Sequence, residues 1–488
     1  MAVGASRQKK DELRAKVDEL RAFIESSAVG AEAERLLRSL DELARRADGK
    51  RCGLVFEKHR EPVEDLLERC TPVLREDETL RIERGGQTDL LIEGDNLAAL
   101  RLLQATHSGA VDFIYIDPPY NTGSSGFRYG DDYVSRGDAF AHSGWLSFME
   151  KRLREAGTLL AETGCILISI NENELFGLKL LCDEIFGEEN YLTTFAVKVR
   201  HENRILKGDK DFHEVFEYLL YYRKSPKHRT GKRILDNSSD DDYVWTLREL
   251  APPAQTLTMG GRRVDVFHPG QYALEKGAPS PEKCKRINIR GSLKEGNSSG
   301  RFFMKHLAGF IGQTPGYVYK VERIGDDGAG FRYFIIPENE KRKNGDYLQG
   351  VPLTRAQTKE APYANLLDFQ AAFNTVGYEG GVEFRNGKKP MAFLQHCFAL
   401  GGLTGGPKTV LDFFAGSGST GHALLAYNRA QGTEHRFILC NNNENNICRE
   451  IAYERLRRAI TQEDYAASLR YYRVDYLPAG AGAQGDAP

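Results

Sequence analysis

Two blocks of alternating strands and helices, separated by a long irregular stretch, constrain the fold of this 488-residue chain most strongly. In the first block, from about 88 to 225, the apolar strand patterns DLLIEGD, VDFIYID and CILISI alternate with amphipathic helix patterns such as WLSFMEKRLREAGTLLAE. The second block, 392–460, repeats this order with the strands TVLDFF and RFILCN. Such alternation indicates a parallel, doubly wound sheet. We therefore expect one α/β sheet built from two distant pieces of sequence, with a different domain inserted between them.

The chain divides by pattern into five predicted segments. Residues 8–48 carry apolar stripes at helical spacing, broken at 26–30, which predicts a helical hairpin that packs on its own chain or forms a coiled-coil contact. The segments are an N-terminal helical segment (1–80), the first half of the sheet (81–225), an inserted α+β domain (226–383), the second half (384–475) and a disordered tail (476–488).

Composition excludes several classes of protein. The start of the chain has no apolar signal core and no run approaches the length of a membrane span, which predicts a protein that is neither secreted nor membrane-spanning. The eight cysteines form no CxxC pair, so we interpret them as reduced thiols in a cytoplasmic protein and expect no metal site.

The first chemical motif is the end of the strand pattern VDFIYI, at Asp117-Pro118-Pro119-Tyr120. Neither proline can continue a sheet ladder and each fixes its own φ, so the strand must stop in a rigid tip. That tip carries a carboxylate, backbone carbonyls and an aromatic ring. We interpret it as a site for a flat ligand; the alternative is a strand-end turn with no ligand.

The second motif is the glycine-rich loop FAGSGSTG (414–421), which follows the strand ending near Asp412 and opens a helix. Glycines allow positive φ and close approach of a ligand, and the helix N-terminus behind them favours polar or anionic groups. On its own, this GxGxxG spacing fits a nicotinamide or flavin dinucleotide equally well, or a tight turn without a ligand. The first carboxylate after the next strand is Glu444, which we predict to bind a ribose.

Together the two motifs resemble those of the DNA amino-methyltransferases, which use S-adenosylmethionine. The tetrapeptide comes first and the glycine loop last, an order similar to that of the beta group of these enzymes. The stretches LLIEGDNLAALRLL, GCILISINENE, FHEVFEYLLYYRKS and FRNGKKPMAFLQHCF are similar to the modification (Mod) subunits of type III restriction–modification systems. The resemblance implies a Rossmann-like methyltransferase sheet with a circularly permuted motif order, and a target-recognition domain in the insertion.

The resemblance also implies a catalytic role for the tetrapeptide. The lone pair of an exocyclic amino group is delocalised into the base. Asp117 and the Pro118 carbonyl would accept its N–H protons and localise that lone pair, and Pro119 would stiffen this array. The base must leave the duplex to be reached, and Tyr120 would stack on it. Asn121 would touch the base or the cofactor.

Further cofactor contacts follow from the same resemblance. Asp95 and Asn96 are expected near the adenine end of S-adenosylmethionine, although either could serve only as a helix N-cap. Asp412 would orient the methionine end or the loop backbone. Lys388 and Pro390 would close over the methionine part. The loop residues expected to bind the cofactor are Phe414, Ala415, Gly416, Ser417 and Gly418.

Double-stranded DNA would require a local basic cluster, because the net charge of the chain is only −2. Residues 283–305 contain seven basic residues and one acid. Phosphate contacts need such clusters, although a charge run is usually a solvated loop. The predicted DNA contacts are Lys283, Lys285, Arg286, Arg290 and Arg301.

Several hypotheses remain open at this point. The preferred substrate is the N6 amino group of adenine, because Asp in the first position of the tetrapeptide is typical of the adenine enzymes; cytosine N4 is the alternative. A nicotinamide-dependent oxidoreductase would leave the tetrapeptide and the basic cluster unexplained. A DNA-binding subunit without turnover is a third hypothesis. The resemblance to Mod subunits also suggests a homodimer and a restriction subunit as partner.

Overall fold

The protein forms two compact units, Met1–Gly231 with Tyr363–Pro488, and Lys232–Pro362. The computed structural model describes residues 17, 19–24, 36–37, 40, 54, 56–121, 141–203, 211–290, 298–339, 341–384 and 387–478. Most of the hairpin predicted over residues 8–48 lies outside these residues, as does the predicted tail beyond residue 478. None of the described helices has the length and apolar composition that crossing a bilayer requires.

The elements follow one another along the chain in three groups. The first group comprises α1 (Pro62–Arg69), β1 (Cys70–Glu76), β2 (Gln87–Glu93), α2 (Asn96–His107), β3 (Val111–Ile116), α3 (Ala141–Leu159), β4 (Leu160–Ile170), α4 (Glu172–Phe186), β5 (Tyr191–Lys198) and β6 (Phe216–Arg223). The second comprises β7 (Arg233–Asp236), β8 (Trp245–Glu249), β9 (Gln255–Met259), β10 (Arg262–Phe267), β11 (Tyr272–Lys276), β12 (Lys285–Asn288), α5 (Ser298–Phe302), β13 (Val318–Glu322), β14 (Phe331–Ile335), β15 (Asp346–Gln349) and β16 (Thr358–Ala361). The third comprises β17 (Leu366–Asp368), α6 (Gln370–Thr375), α7 (Met391–Leu400), β18 (Thr409–Asp412), α8 (Ser419–Gln431), β19 (Arg436–Asn441), α9 (Glu454–Gln462) and β20 (Ala467–Pro478).

A ten-stranded sheet organises the first unit, in the order β1-β20-β2-β19-β18-β3-β4-β6-β5-β17. The six strands from β20 to β4 are parallel to one another, whereas β1 and β6 are antiparallel to their neighbours. Both sequence blocks contribute strands to this one sheet, with β2 between β20 and β19, and β18 beside β3.

The central strands are apolar on both faces because helices cover both sides of the sheet. In β3, Phe113 and Tyr115 belong to one buried cluster, and Ile114 and Ile116 to the cluster on the other face. This period of two buries almost every residue of the strand, which explains why the sequence VDFIYI reads as a continuous apolar run.

The neighbouring strands β3 and β18 form the topological switch point of the sheet. The chain leaves β3 towards β4 on one side and leaves β18 towards β19 on the other. Ligands bind at such a point, in the crevice beyond the carboxyl ends of the strands. The tetrapeptide follows β3 and the glycine loop follows β18.

Three features of the first unit differ from the sequence prediction. Residues 70–76, within the segment predicted to be helical, form strand β1. Helix α3 ends at Leu159 rather than near residue 162, because Leu160 already begins β4. Strand β20 was not predicted, although it lies between β1 and β2 and includes residues 476–478 of the predicted tail.

The second unit is built mainly from antiparallel strands. Six of them form a sheet in the order β12-β15-β14-β13-β10-β9, and two further pairs are β11-β8 and β16-β7. Its core contains Phe303, Phe334 and Tyr347. The unit is shorter than the predicted insertion of 226–383, because the chain after Pro362 returns to the first unit, where β17 pairs with β5.

Candidate functional site

A cavity of about 460 Å³ lies beyond the carboxyl ends of β2, β3, β18 and β19. Its lining contains both sequence motifs, because the strands that precede them are neighbours. The predicted residues in its lining are Asp95, Asn96, Asp117, Pro119, Asp412, Phe414, Ala415, Gly416, Ser417 and Glu444.

The tetrapeptide is anchored by helix α3. The indole Nε1 of the fully buried Trp145 donates a hydrogen bond to the carbonyl oxygen of Pro119 at 2.7 Å. Asp117 lines the cavity with its side chain 15% exposed. Neither Pro118 nor Tyr120 is part of the cavity lining. Asp117 and Pro119 are therefore the tetrapeptide residues in the cavity lining, and Asp117 supplies its carboxylate.

Four side chains from three segments form what we call the Asp117 network: Asp117, Tyr120, Glu217 and Lys389. The Tyr120 hydroxyl lies 2.8 Å from Asp117 Oδ1 and 3.1 Å from Glu217 Oε2, so it can donate to either carboxylate. Lys389 Nζ lies 2.6 Å from Glu217 Oε2, 2.6 Å from the Tyr120 hydroxyl and 3.2 Å from Asp117 Oδ1. One ammonium thus bridges two carboxylates.

Burial governs protonation within this network. It raises the pKa of Asp117 to about 6 against the opposing charge of Lys389, and Glu217 adds to the rise. Burial also raises the pKa of Tyr120, which keeps its hydroxyl protonated. For Lys389 burial disfavours the ammonium, but Asp117 and Glu217 outweigh it and raise its pKa. At neutral pH the network therefore contains an ionised Asp117, a protonated hydroxyl and an ammonium.

Asp412 fixes the backbone of the glycine loop. Its Oδ1 accepts from the backbone N–H of Phe414 at 2.9 Å and its Oδ2 accepts from the Thr420 hydroxyl at 2.6 Å. Burial raises the pKa of Asp412 to about 7. The loop also requires glycine at two positions, since Gly416 and Gly418 have φ of +52° and +72°.

A buried ion pair supports the part of the lining that follows β2. Arg152 is 1% exposed and donates to both carboxylate oxygens of Glu61 at 2.9 Å, and to Asn96 Oδ1 at 2.5 Å. Asn96 in turn donates to the carbonyl oxygen of Phe413 at 2.8 Å. Asp95 accepts from the backbone N–H of Leu97 at 2.8 Å, so it caps α2 and also lines the cavity.

Some predicted site residues lie outside the cavity lining. Lys388 donates to three backbone carbonyls of residues 377–382 at 2.7–3.1 Å, whereas its neighbour Lys389 lines the cavity. Pro390 occupies the N-cap position of α7. Asn121 has φ +56° and donates to Glu174 Oε1 at 2.8 Å. Gly418 also does not line the cavity.

The predicted DNA contacts fall into two groups in the second unit. Lys285 pairs with Asp242, and Arg286 pairs with Asp346 at 2.6 Å, so acids already neutralise these two cations. The remaining three form no ion pair with another residue that the structure describes: Lys283, Arg290 and Arg301.

Four charged residues of the cavity lining and the Asp117 network were not predicted from the sequence: Glu61, Arg152, Glu217 and Lys389. Lys389 lies in the segment NGKKPMAFL, but the spacing does not tell which of its two lysines faces the cavity. Glu217 is the second residue of the apolar strand β6, and a charge near the end of such a strand is common. Among the residues described, no group of three His, Cys, Asp or Glu side chains could hold a metal ion.

Comparison with known proteins gave several long matches. The StyLTI Mod subunit, from a type III restriction-modification enzyme of Salmonella typhimurium, is 32% identical over 386 residues, which are 73% of this chain and 53% of that protein. The EcoPI Mod subunit of Escherichia phage P1 is 28% identical, over 76% of this chain and 60% of that protein. The type II methyltransferase M.KpnI of Klebsiella pneumoniae is 29% identical, over 79% of this chain and 87% of that protein.

The chain spans about half the length of the StyLTI, HindVI and EcoPI Mod subunits, between 47% and 60%. A family model described as DNA methylase matches residues 111–454. This match covers more than half of the chain and includes the Asp117 tetrapeptide, Lys389 and the glycine loop. The chain therefore belongs to the DNA methylase family.

Proposed function

We propose that this chain transfers a methyl group from S-adenosylmethionine to the N6 amino group of a flipped-out adenine in DNA. The observation that carries the proposal is that Asp117 and the glycine loop line one cavity. An oxidoreductase that binds a dinucleotide has no use for a carboxylate on a proline-stiffened tip beside its glycine loop. The names of the relatives, which are Mod subunits and a type II methyltransferase, support the assignment.

The cavity has the size and lining for S-adenosylmethionine. Its volume, about 460 Å³, falls within the roughly 300–1,000 Å³ of small-molecule sites. A Cβ at Gly416 would have a single atom within 4 Å, the carbonyl oxygen of Phe414 at 3.8 Å, so the backbone there is open to a ligand. When bound, S-adenosylmethionine supplies an electrophilic methyl group on a sulfonium. The residues that would hold it are Asp95, Asn96, Phe414, Ala415, Gly416, Ser417 and Glu444.

Asp117 would act on the nucleophile. Its ionised carboxylate accepts an N–H of the adenine amino group, together with the Pro118 carbonyl, and this shifts the nitrogen lone pair towards the methyl group. The prolines hold both acceptors in a fixed geometry, so the main contribution of the protein is positioning and electrostatic stabilisation. The Tyr120 ring would stack on the flipped base.

DNA would contact the second unit through its basic residues. Lys283, Arg290 and Arg301 are the best candidates for phosphate contacts, because no acid among the described residues pairs with them, whereas Lys285 and Arg286 already pair with Asp242 and Asp346. By similarity to Mod subunits, we also propose that the chain acts in the cytoplasm in a restriction–modification system, as a homodimer and beside a restriction subunit. Light scattering on a chain lacking residues 1–50 would test whether the N-terminal segment carries the dimer contact.

The experiment that tests the function is single-molecule modification sequencing of DNA from a methylation-free host that expresses this chain alone. The expected result is a mark on adenine within one short motif. A mark on cytosine would keep the mechanism and move the substrate to the N4 amino group. If no DNA is marked while purified chain binds S-adenosylmethionine and DNA, the proposed activity is wrong for the chain by itself.

A further inference from the structure

Lys389 contacts the reacting carboxylate, and neither sequence motif accounts for it. Resting on the proposed function, we propose that Lys389, held in place by Glu217, is the positioning residue that keeps the Asp117 carboxylate ionised and fixed for the target amino group.

The first argument is that the ammonium is built into the site. The Lys389 side chain is 9% exposed and its Nζ lies 2.6 Å from Glu217 Oε2. It also lies 4.9 Å from the centre of the Tyr120 ring and 5.8 Å from that of Phe373, within the range of a cation–π contact. A buried ammonium is costly unless it is paired. These contacts confine it to a single place, 3.2 Å from Asp117 Oδ1.

The second argument is the balance of charge around Asp117. The titratable groups that interact with it are Lys389 before α7, Glu217 on β6, Tyr120 on its own segment, Tyr115 on β3 and Asp412 on β18. Burial and Glu217 both favour the protonated form of Asp117, and Lys389 is the cation in this set that opposes them. Without the ammonium, desolvation and the like charge of Glu217 would act on Asp117 unopposed and favour its protonated form.

The third argument comes from the reaction itself. The amino nitrogen forms its new bond to the methyl carbon, while the carbon–sulfur bond breaks with its electron pair on sulfur. One amino proton then passes to the Asp117 carboxylate, which becomes neutral and later releases that proton to water. Asp117 can accept this proton only if it enters the step ionised. The ammonium of Lys389 supplies that condition without contacting the base.

Two readouts on the full-length protein test the role. The first is the titration midpoint of the Asp117 carboxyl, followed by ¹³C NMR of aspartate-labelled protein and assigned with Asp117→Asn. The second is the pH profile of single-turnover DNA methylation. The variants are Lys389→Met, Lys389→Arg and Glu217→Gln. The control is Lys388→Met, which removes the neighbouring ammonium that binds backbone carbonyls outside the cavity.

Removing an opposite charge at this distance should raise the midpoint of Asp117 by about 1 to 3 pH units in Lys389→Met. The acid limb of the methylation profile should move upward with it, so that activity recovers at alkaline pH. In Lys389→Arg, which keeps the charge, the Asp117 midpoint and the acid limb should lie close to those of the wild type. Glu217→Gln should not raise the midpoint, since it removes a like charge, and Lys388→Met should leave the midpoint unchanged.

A midpoint that stays in place in Lys389→Met, or a rate that falls equally at every pH, would refute the proposal and reduce Lys389 to a packing role. Thermal unfolding of each variant identifies a general loss of structure. If Lys389→Met is unfolded, Lys389→Arg tests the proposal instead, because it keeps the positive charge. A wild-type chain that methylates no DNA, with the midpoint moved in Lys389→Met, would refute the proposed function and support the ionisation role of Lys389.

Discussion

Asp117 is the residue on which the proposed chemistry depends most directly. Asp117→Ala removes the acceptor for the target amino group, whose effect is greatest in the transition state. Methyl transfer should fall by roughly 10²-fold or more, the scale of losing one such electrostatic contact. Binding of S-adenosylmethionine by calorimetry and of DNA by a filter assay should change little. Asp475→Ala, at an exposed ion pair with Arg75, is the matched control.

The pH dependence of wild-type activity follows from the same carboxyl. Burial raises the pKa of Asp117 to about 6, and only the ionised form accepts the amino N–H. The rate of the chemical step should therefore be constant at neutral pH and fall as the pH drops through about 6. Single-turnover rates between pH 5 and pH 9 would show this limb. A limb near pH 4, the region of an ordinary aspartate, would contradict it.

Individual residues also show where reasoning from sequence ends. Asp117 and its prolines could be assigned because their chemical types are unusual at the end of a buried strand. Lys388 and Lys389 are the same residue type in adjacent positions, and only the path of the chain into α7 decides that Lys389 enters the cavity. No periodicity encodes that choice, so the sequence prediction named Lys388 and left out Lys389, which lines the cavity.

At the scale of elements, the two glycines of the loop before α8 should respond differently to alanine. Both have positive φ, at a cost of about 1–2 kcal/mol for a residue with a Cβ. In Gly418→Ala the new Cβ would also lie 3.2 Å from the carbonyl oxygen of Ala452, so thermal stability should fall further. In Gly416→Ala the Cβ would enter the open space of the cavity. This variant should therefore bind S-adenosylmethionine more weakly than Gly418→Ala does, with a smaller loss of thermal stability.

Calorimetric titration and thermal unfolding of the two glycine variants would separate these effects. Gly416→Ala should cause the larger loss of affinity for S-adenosylmethionine, and Gly418→Ala the larger loss of thermal stability. Equal effects in both assays would mean that the loop contributes only through its backbone conformation.

The segment before α1 depends on a buried ion pair with α3. Glu61→Ala leaves the guanidinium of Arg152 without its bidentate partner, at 1% exposure. Breaking such a pair costs about 3–5 kcal/mol, so the midpoint of chemical unfolding should drop clearly. Arg101→Ala, which breaks the pair with Glu155 on the partly exposed surface, is the control and should change it little. If the midpoint drops no more in Glu61→Ala than in the control, Asn96 and Asp95 compensate for the lost partner of Arg152.

For the whole molecule, DNA affinity should depend on salt through the cations that pair with no acid in the described part of the second unit. Arg290→Ala and Arg301→Ala should each reduce the slope of log K against log salt by about 1. Lys285→Ala should reduce it less, because Asp242 already binds that ammonium. Titrations of labelled duplex at several salt concentrations would measure the slopes. An equal reduction in all three variants would place the DNA elsewhere on this unit.

The overall architecture was predictable because periodicity alone distinguishes parallel α/β blocks from the insertion. It was also predictable that the tetrapeptide and the glycine loop lie close together, since parallel strands present their carboxyl ends at one edge of the sheet. Strand β20 could not be found in this way: Arg470, Arg473 and Asp475 interrupt its apolar residues, so it lacks the continuous apolar run of the predicted strands. The partners Glu217 and Arg152 depend on distances across the folded sheet, which no local pattern contains.

The neighbouring strands β3 and β18 also determine when the candidate site can first assemble. During translation β18 leaves the ribosome roughly 300 residues after β3, a delay on the order of 15–60 s at ordinary elongation rates. Through that interval one hydrogen-bonding edge of β3 has no partner strand. The nascent chain therefore needs protection of that edge, and a ribosome-bound product would carry an aspartate tip without a cofactor loop. The proposed methylation therefore requires synthesis of the chain through the glycine loop that follows β18.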